Sequence, residues 1–146
     1  MRIILSLIFV IISVARGNGQ TSGIITTVAG DGSYDAPAAV TDGVAATTVP
    51  ISCPRDITVT ANGVIYIADF LHNRVRKVSS SGVISTVAGG GSSSYYSGAN
   101  ATYISLPSSP HYIDVDTANN IYFTAGFFVL KVTAGGIITT VAGDFS

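Results

Sequence analysis

In short stretches of this chain, notably 56–60 and 74–78, apolar and polar residues alternate with a period of two, the spacing that a β-strand imposes when successive side chains face opposite sides of a sheet. One stretch organises the pattern: residues 23–32 read GIITTVAGDG, and nearly the same words return as GVISTVAGGG at 82–91 and GIITTVAGD at 136–144, spaced 59 and 54 residues apart. Recurrence at such intervals marks a repeat protein in which each copy is the same strand of one recurring unit. Between the first and second copies the alternation predicts a strand at 56–60, an Asn-Gly hairpin turn at 61–63 with positive φ angles, and a continuous apolar strand at 64–68 that is buried on both faces. Residues 74–78 alternate Arg, Lys and Val, which reads as a more exposed strand whose charges resist edge pairing. The copy at 83–88 then closes a four-stranded antiparallel meander. The second unit repeats the order at 111–116, 121–124, 128–132 and 137–142, with a turn at 117–120.

The connections at 31–54 and 92–109 are rich in Gly, Ala, Ser and Pro, show no helical period and are too long for tight hairpins. Pro54 and Pro110 stand at matching places, each opening a strand, where a missing N–H leaves no ladder bond unmade. Four short strands per unit, in sheets that bury both faces against neighbours, describe a β-propeller blade. The reading is therefore all-β: a β-propeller fragment of two four-stranded antiparallel blades, in units of about 23–82 and 83–142, plus one extra N-terminal strand at 24–29. Composition agrees, since the chain has no Glu or Trp, only 10% charged residues, and much Gly, Ser and Thr.

The words GIITTVAGDG, then a Gly/Asp/Ala-rich loop, then PRDITVTANGVIYIADFLHNRVRKV at 54–78 resemble the NHL-repeat β-propeller family. In that family a proline-led strand, an Asn-Gly or Asp-Gly turn, a YIAD strand and an N-R-I/V-R-K-V strand recur blade after blade. The second unit follows in outline only, because ADFLHNRVRKV becomes TAGFFVLKV, two residues shorter and without the Asp, His, Asn and Arg. The resemblance implies a propeller fold. It leaves function open, since members of that family range from secreted and cell-surface interaction proteins through RNA-binding regulators to a peptide-amidating lyase.

Ahead of the repeats, Arg2 precedes an apolar run at 3–14, followed by Ala15-Arg16-Gly17. This is the plan of a secretory signal peptide at 1–17, cut after Gly17 or Gly19, and the run is too short for a membrane span. Removing Arg2 and Arg16 with it takes the seven Lys and Arg to five against eight Asp, a formal charge of −3, which disfavours nucleic acid as a partner. Cys53 is the only cysteine, so no internal disulfide exists, and it is either a small buried residue or a thiol available to another chain.

Few residues carry candidate chemistry. Asp69 and Asn73 flank a turn and read as turn-fixing residues, because one carboxylate is a poor calcium site. The only histidines, His72 and His111, fall at different points of the unit and with one Asp do not make a three-ligand zinc site. The metal ligands and arginine of the lyase-like family members do not map onto these residues, so neither metal nor cofactor is expected. Asn100-Ala101-Thr102 is a glycosylation acceptor in a secreted chain. Beside it Tyr95, Tyr96 and Tyr103 either pack the loop or form an aromatic contact surface.

The sequence thus reads as a secreted, extracellular, non-catalytic module of residues 18–146 that binds a protein or glycan partner, without nucleic acid and without a membrane span once the leader is cut; its bare sheet faces imply that it assembles with copies of itself to complete the propeller, aggregates through its exposed edges, or exists only as part of a longer product. The alternatives are part of an extracellular lyase-like or hydrolase-like propeller enzyme, or a truncated product without a role of its own. N-terminal sequencing of secreted material is expected to begin at Asn18 or Gln20; an intact Met1 on cytosolic protein would remove both the extracellular address and the glycosylation.

Overall fold

The computed structural model describes residues 24–33 and 40–144; the expected leader at 1–17 and Gly23 lie outside them. Ten strands form two antiparallel five-stranded sheets. The first contains β1 (Val44–Ala45), β2 (Ile57–Val59), β3 (Ile65–Asp69), β4 (Arg74–Val78) and β5 (Val83–Gly89), in the order β1-β5-β4-β3-β2. The second contains β6 (Ala99–Asn100), β7 (Pro110–Val115), β8 (Ile121–Ala125), β9 (Phe128–Val132) and β10 (Ile137–Ala142), in the order β6-β10-β9-β8-β7. Among the described residues there is no α-helix, and one 3₁₀ turn at Ala46–Thr48 follows β1. The whole is a propeller-like fragment.

Each unit gains a strand where the sequence pattern predicts only a loop. Val44 and Ala45 pair with Ile84 and Val83, and Ala99 and Asn100 pair with Ile138 and Ile137, so the long connection lays a two-residue edge against the outermost meander strand. The expected extra strand at 24–29 is absent as a strand: this segment joins no ladder. Instead the amides of Gly30 and Asp31 donate to the carbonyls of Ala46 and Val49, just as Gly89 and Gly91 donate to Ala101 and Ile104 in the second unit. Residues 24–29 therefore stand to the first unit as β5 stands to the second, without being a strand.

The tight turns share one form. Gly63, Gly82, Asn119 and Gly136 each have a left-handed φ of 61–82° and donate an N–H to the carbonyl three residues back, closing three-residue hairpin loops. Asn62 is not left-handed, contrary to the expectation for both residues of the Asn-Gly pair. Asp116 anchors the β7–β8 turn with bonds from Ala118 N, Asn120 N and Asn120 Nδ2, and these bonds, the Asn120 side chain first, hold its carboxyl below the usual range. The β3–β4 hairpin keeps four loop residues between paired Asp69 and Arg74, whereas β8–β9 turns through Gly126 and Phe127 alone.

Burial corrects the reading of 74–78 as an exposed strand. β4 is the central strand of five, and its side chains are buried on both faces: Val75 by the second sheet, Val78 in a smaller apolar cluster and Arg76 beneath Thr41 and Asp42. The main core lies between the sheets, where Tyr66, Ala68, Val75 and Ala88 of the first meet Phe123 and Leu130 of the second. A smaller cluster, with Ile65, Ile67, Val78 and Ile84, lines the opposite face of the first sheet.

Gly89 ends β5 at φ 79°, and a Cβ built there would lie 2.4 Å from the Asn73 carbonyl oxygen and 3.0 Å from Leu106 Cγ. Gly63 has the same φ with nothing within 4 Å. Gly89→Ala is therefore expected to lose about 3 kcal/mol from strain plus overlap, and Gly63→Ala about 1 kcal/mol from strain alone. Urea denaturation of the two variants reads this difference, and equal losses would refute it.

Candidate functional site

The most distinctive surface lies where the inner strands begin. Arg55 precedes β2 and places its guanidinium carbon 4.5 Å from the centre of the Phe70 ring at the β3–β4 hairpin. Phe70 meets His111 edge to face at 4.9 Å, and His111 lies 6.3 Å from Tyr112. Four side chains thus form one continuous row that crosses from the first sheet to the second. A β-bulge makes this arrangement: Pro110 pairs with Ala125 but Ile113 pairs with Phe123, so β7 carries one extra residue across from β8. Bulges re-aim side chains, and here His111 and Tyr112, neighbours that a regular strand would send to opposite faces, are both exposed, Tyr112 at 70%. The sequence alone does not join Arg55 to His111, because the signal is the pairing of β7 with β8.

Beneath the row is a buried polar cluster. Asp69 is fully buried at the end of β3; its Oδ1 accepts from Ser52 N at 2.9 Å and its Oδ2 accepts from His72 Nδ1 at 2.8 Å. Burial pushes the Asp69 carboxyl above the usual carboxylate range, opposed by His72, Ser52 and Arg76. Arg76 Nη2 donates to the Thr41 carbonyl and to Asp42 Oδ1, both at 2.9 Å, and Asp42 also accepts from Thr86 N and Oγ1. Burial draws the Arg76 pKa down against the attraction of Asp42 and Asp69. Asn73, left-handed at φ 52°, sends Nδ2 to the Leu106 carbonyl and so ties the hairpin of the first sheet to the connection before β7. Asp69 and His72 therefore meet, while His111 lies apart in the aromatic row.

Asn100 lies exposed on β6, its Oδ1 accepting from Thr102 N and Oγ1. It borders a cleft of about 510 Å³ between the sheets, lined also by Asn62, Tyr66, Lys77 and Asn119 at the opposite end of the strands from the aromatic row. The three loop tyrosines part company. Tyr95 packs against the main core with its hydroxyl 2.5 Å from Thr140 Oγ1, whereas Tyr96 and Tyr103 are 62% and 71% exposed. Cys53 is a half-buried free thiol at φ 48°. No cluster of three or more His, Cys or Asp suited to a metal ion occurs among the described residues.

Residues 52–78, from the Ser52 anchor to the end of β4, match the family model of the NHL repeat. Asp69, His72, Asn73 and Arg76 all lie inside the matched residues. Among solved structures, selenomethionine-substituted virginiamycin B lyase from Staphylococcus aureus is similar at 18% identity and TM-score 0.44, over 60% of this chain and 26% of that one. A streptogramin B lyase is similar at 18% identity and TM-score 0.48, over 64% of this chain and 27% of that one. A catalytically inactive virginiamycin B lyase from Staphylococcus aureus with quinupristin is similar at 17% identity and TM-score 0.32, over 83% and 46%. The chain spans about a quarter of the length of the first two. None of these likenesses bears on what this chain binds or does. No curated protein matches the chain significantly.

Because burial raises Asp69, the folded state holds its proton more tightly than the unfolded chain does. The resulting stability is complete below the ordinary carboxylate pKa and is lost as pH rises through the raised value. Relative to Asp69→Asn, which stays neutral, the wild type is therefore expected to lose stability across that window on going from acid towards neutral pH. Asp69→Ala, which strips the acceptor from Ser52 N and His72 Nδ1, is expected to cost about 2–3 kcal/mol near neutral pH. Urea titrations over the pH series check both, and parallel curves for wild type and Asp69→Asn would refute the pH claim.

Proposed function

We propose that this chain is a secreted, non-catalytic binding module that engages a protein or glycan partner through the row Arg55, Phe70, His111 and Tyr112. The observation that carries the reading is the row itself: a guanidinium and three rings in sequence across two sheets, exposed except for half-buried Phe70, and aimed by a bulge. Aromatic faces offer flat apolar area with little rotamer entropy to lose, and a cation beside them adds polar selectivity. Rigid strand ends suit recognition better than free loops, because the geometry is set before the partner arrives. Asn100 lies at the other end of the strands, so a glycan carried there leaves the row open. The two histidines do not share a site, one being tied to buried Asp69 and the other lying in the row, which favours binding over acid–base chemistry.

Glycan and extracellular-protein arrays probed with the labelled chain test the reading. A ligand is expected whose affinity falls about tenfold or more in the Arg55→Ala, Tyr112→Ala double variant, with the melting temperature unchanged. Absence of binding on both arrays, or binding indifferent to the double variant, would overturn it.

A further inference from the structure

The smaller hydrophobic cluster is the larger one with a wall removed. By strand register and hydrogen bonding, Ala46, Val49, Ile65, Ile67, Val78 and Ile84 of the first unit stand where Ala101, Ile104, Ile121, Phe123, Val132 and Ile138 stand in the second. In the larger cluster these second-unit side chains are faced by Tyr66, Ala68 and Val75 of the first sheet. Among the described residues no sheet faces the smaller cluster in the same way. The missing wall exists elsewhere in the same molecule: Tyr122, Thr124 and Val129 occupy the register positions of Tyr66, Ala68 and Val75, on the face of the second sheet turned away from the first.

We propose that a second copy of this chain covers that face, the outward face of one copy's second sheet packing on the first sheet of the next, so that the contact between the two sheets is continued head to tail. Three particulars fit. Thr58 and Asp114 are equivalent positions whose side chains already meet across the internal interface in a long 3.4 Å hydrogen bond; in the stack, Asp114 of one copy meets Thr58 of the next, the same pair in reverse. Asn73 of the first sheet reaches over Leu106, and their equivalents are Phe127 and Ile51, so Phe127, 91% exposed in one copy, lands on apolar Ile51 of the other. The bulge residue Val87 packs on the main core, whereas its equivalent Val141 is 55% exposed and gains the same cover.

The stack also accounts for residues 24–29. They read Ile-Ile-Thr-Thr-Val-Ala, the same six residues as β10, and they lie where β10 of the incoming copy would fall. The incoming β10 takes that place by displacing residues 24–29 together with the bonds of Gly30 and Asp31 to Ala46 and Val49, and the cover of Val141 depends on that exchange. The contact is heterologous, so it either closes into a ring or runs on as a filament. Propellers close with about four to eight sheets, which corresponds to about two to four copies.

Light scattering coupled to gel filtration of the full chain at micromolar concentration tests this. A mass that is a multiple of the 14.9 kDa chain is expected. Phe127→Asp and, separately, Val141→Asp alter positions that are exposed in one copy, and each is expected to reduce the mass to one chain with the β-sheet circular dichroism retained. Tyr103→Ser, exposed on the connection before β7, is expected to leave the multimer intact. A single-chain mass for the wild type at every concentration would overturn the proposal and leave the face to a further unit of a longer polypeptide or to a different protein. A multimer or aggregate indifferent to both aspartate variants would overturn it as well.

Discussion

A twisted sheet with apolar side chains on both faces is stable only when both faces are covered, and every other feature of this molecule follows from that constraint. β3 has five consecutive buried residues, Ile-Tyr-Ile-Ala-Asp, which no single neighbour can shield. Tyr66 and Ala68 are shielded by the second sheet, and Ile65 and Ile67 by the connection through Ala46 and Val49. Burial of each large side chain contributes about 1.5–3 kcal/mol, far more than any surface contact described here. The connections are thus part of the core, and the two-residue edges β1 and β6 are the points where they are fastened down.

The two units solve one backbone problem with different chemistry. In the first, Asp69, His72, Asn73 and Arg76 form buried bonds that hold the connection against the sheet. In the second, the register places Ala125 opposite the Asp69 position and Phe128 and Leu130 at the Arg74 and Arg76 positions, and the cluster is apolar. A buried polar network is stable only when its members are satisfied together, and replacing it whole with apolar residues of similar volume is often neutral or better. The Asp, His, Asn and Arg are absent as a set from the second unit, whose hairpin is the shorter turn through Gly126 and Phe127.

The same scaffold logic positions the aromatic row. Phe70 is carried by a hairpin whose Leu71 N–H donates to the Ser52 carbonyl, and Asn73 closes the turn. His111 and Tyr112 are displaced by the bulge in β7, with Tyr112 N donating to Thr124 Oγ1. Phe70 and Tyr112 are therefore each held by a hydrogen bond close by, and the binding surface proposed here is built on the sheets.

Strands bounded by good turn signals and rich in β-branched or aromatic residues were legible from the residues alone: 74–78, 128–132 and 137–142 have the same bounds in the structure. Turn chemistry is local, so Gly63 and Gly82 could be placed without knowing the fold. The burial of Arg76, the edges β1 and β6 and the bulge at His111 and Tyr112 were not legible, because each depends on a partner distant in sequence. Asn73 and Leu106 likewise show nothing of their bond until the sheets are packed. The clearest case is the hexapeptide Ile-Ile-Thr-Thr-Val-Ala. Its β-branched residues determine that it can be a strand, and they do so equally at 24–29 and at 137–142. Only the tertiary structure decides that the second copy is β10 and the first is not, since a strand exists by virtue of the ladder beside it: β9 lies next to 137–142, and no strand lies next to 24–29 among the described residues.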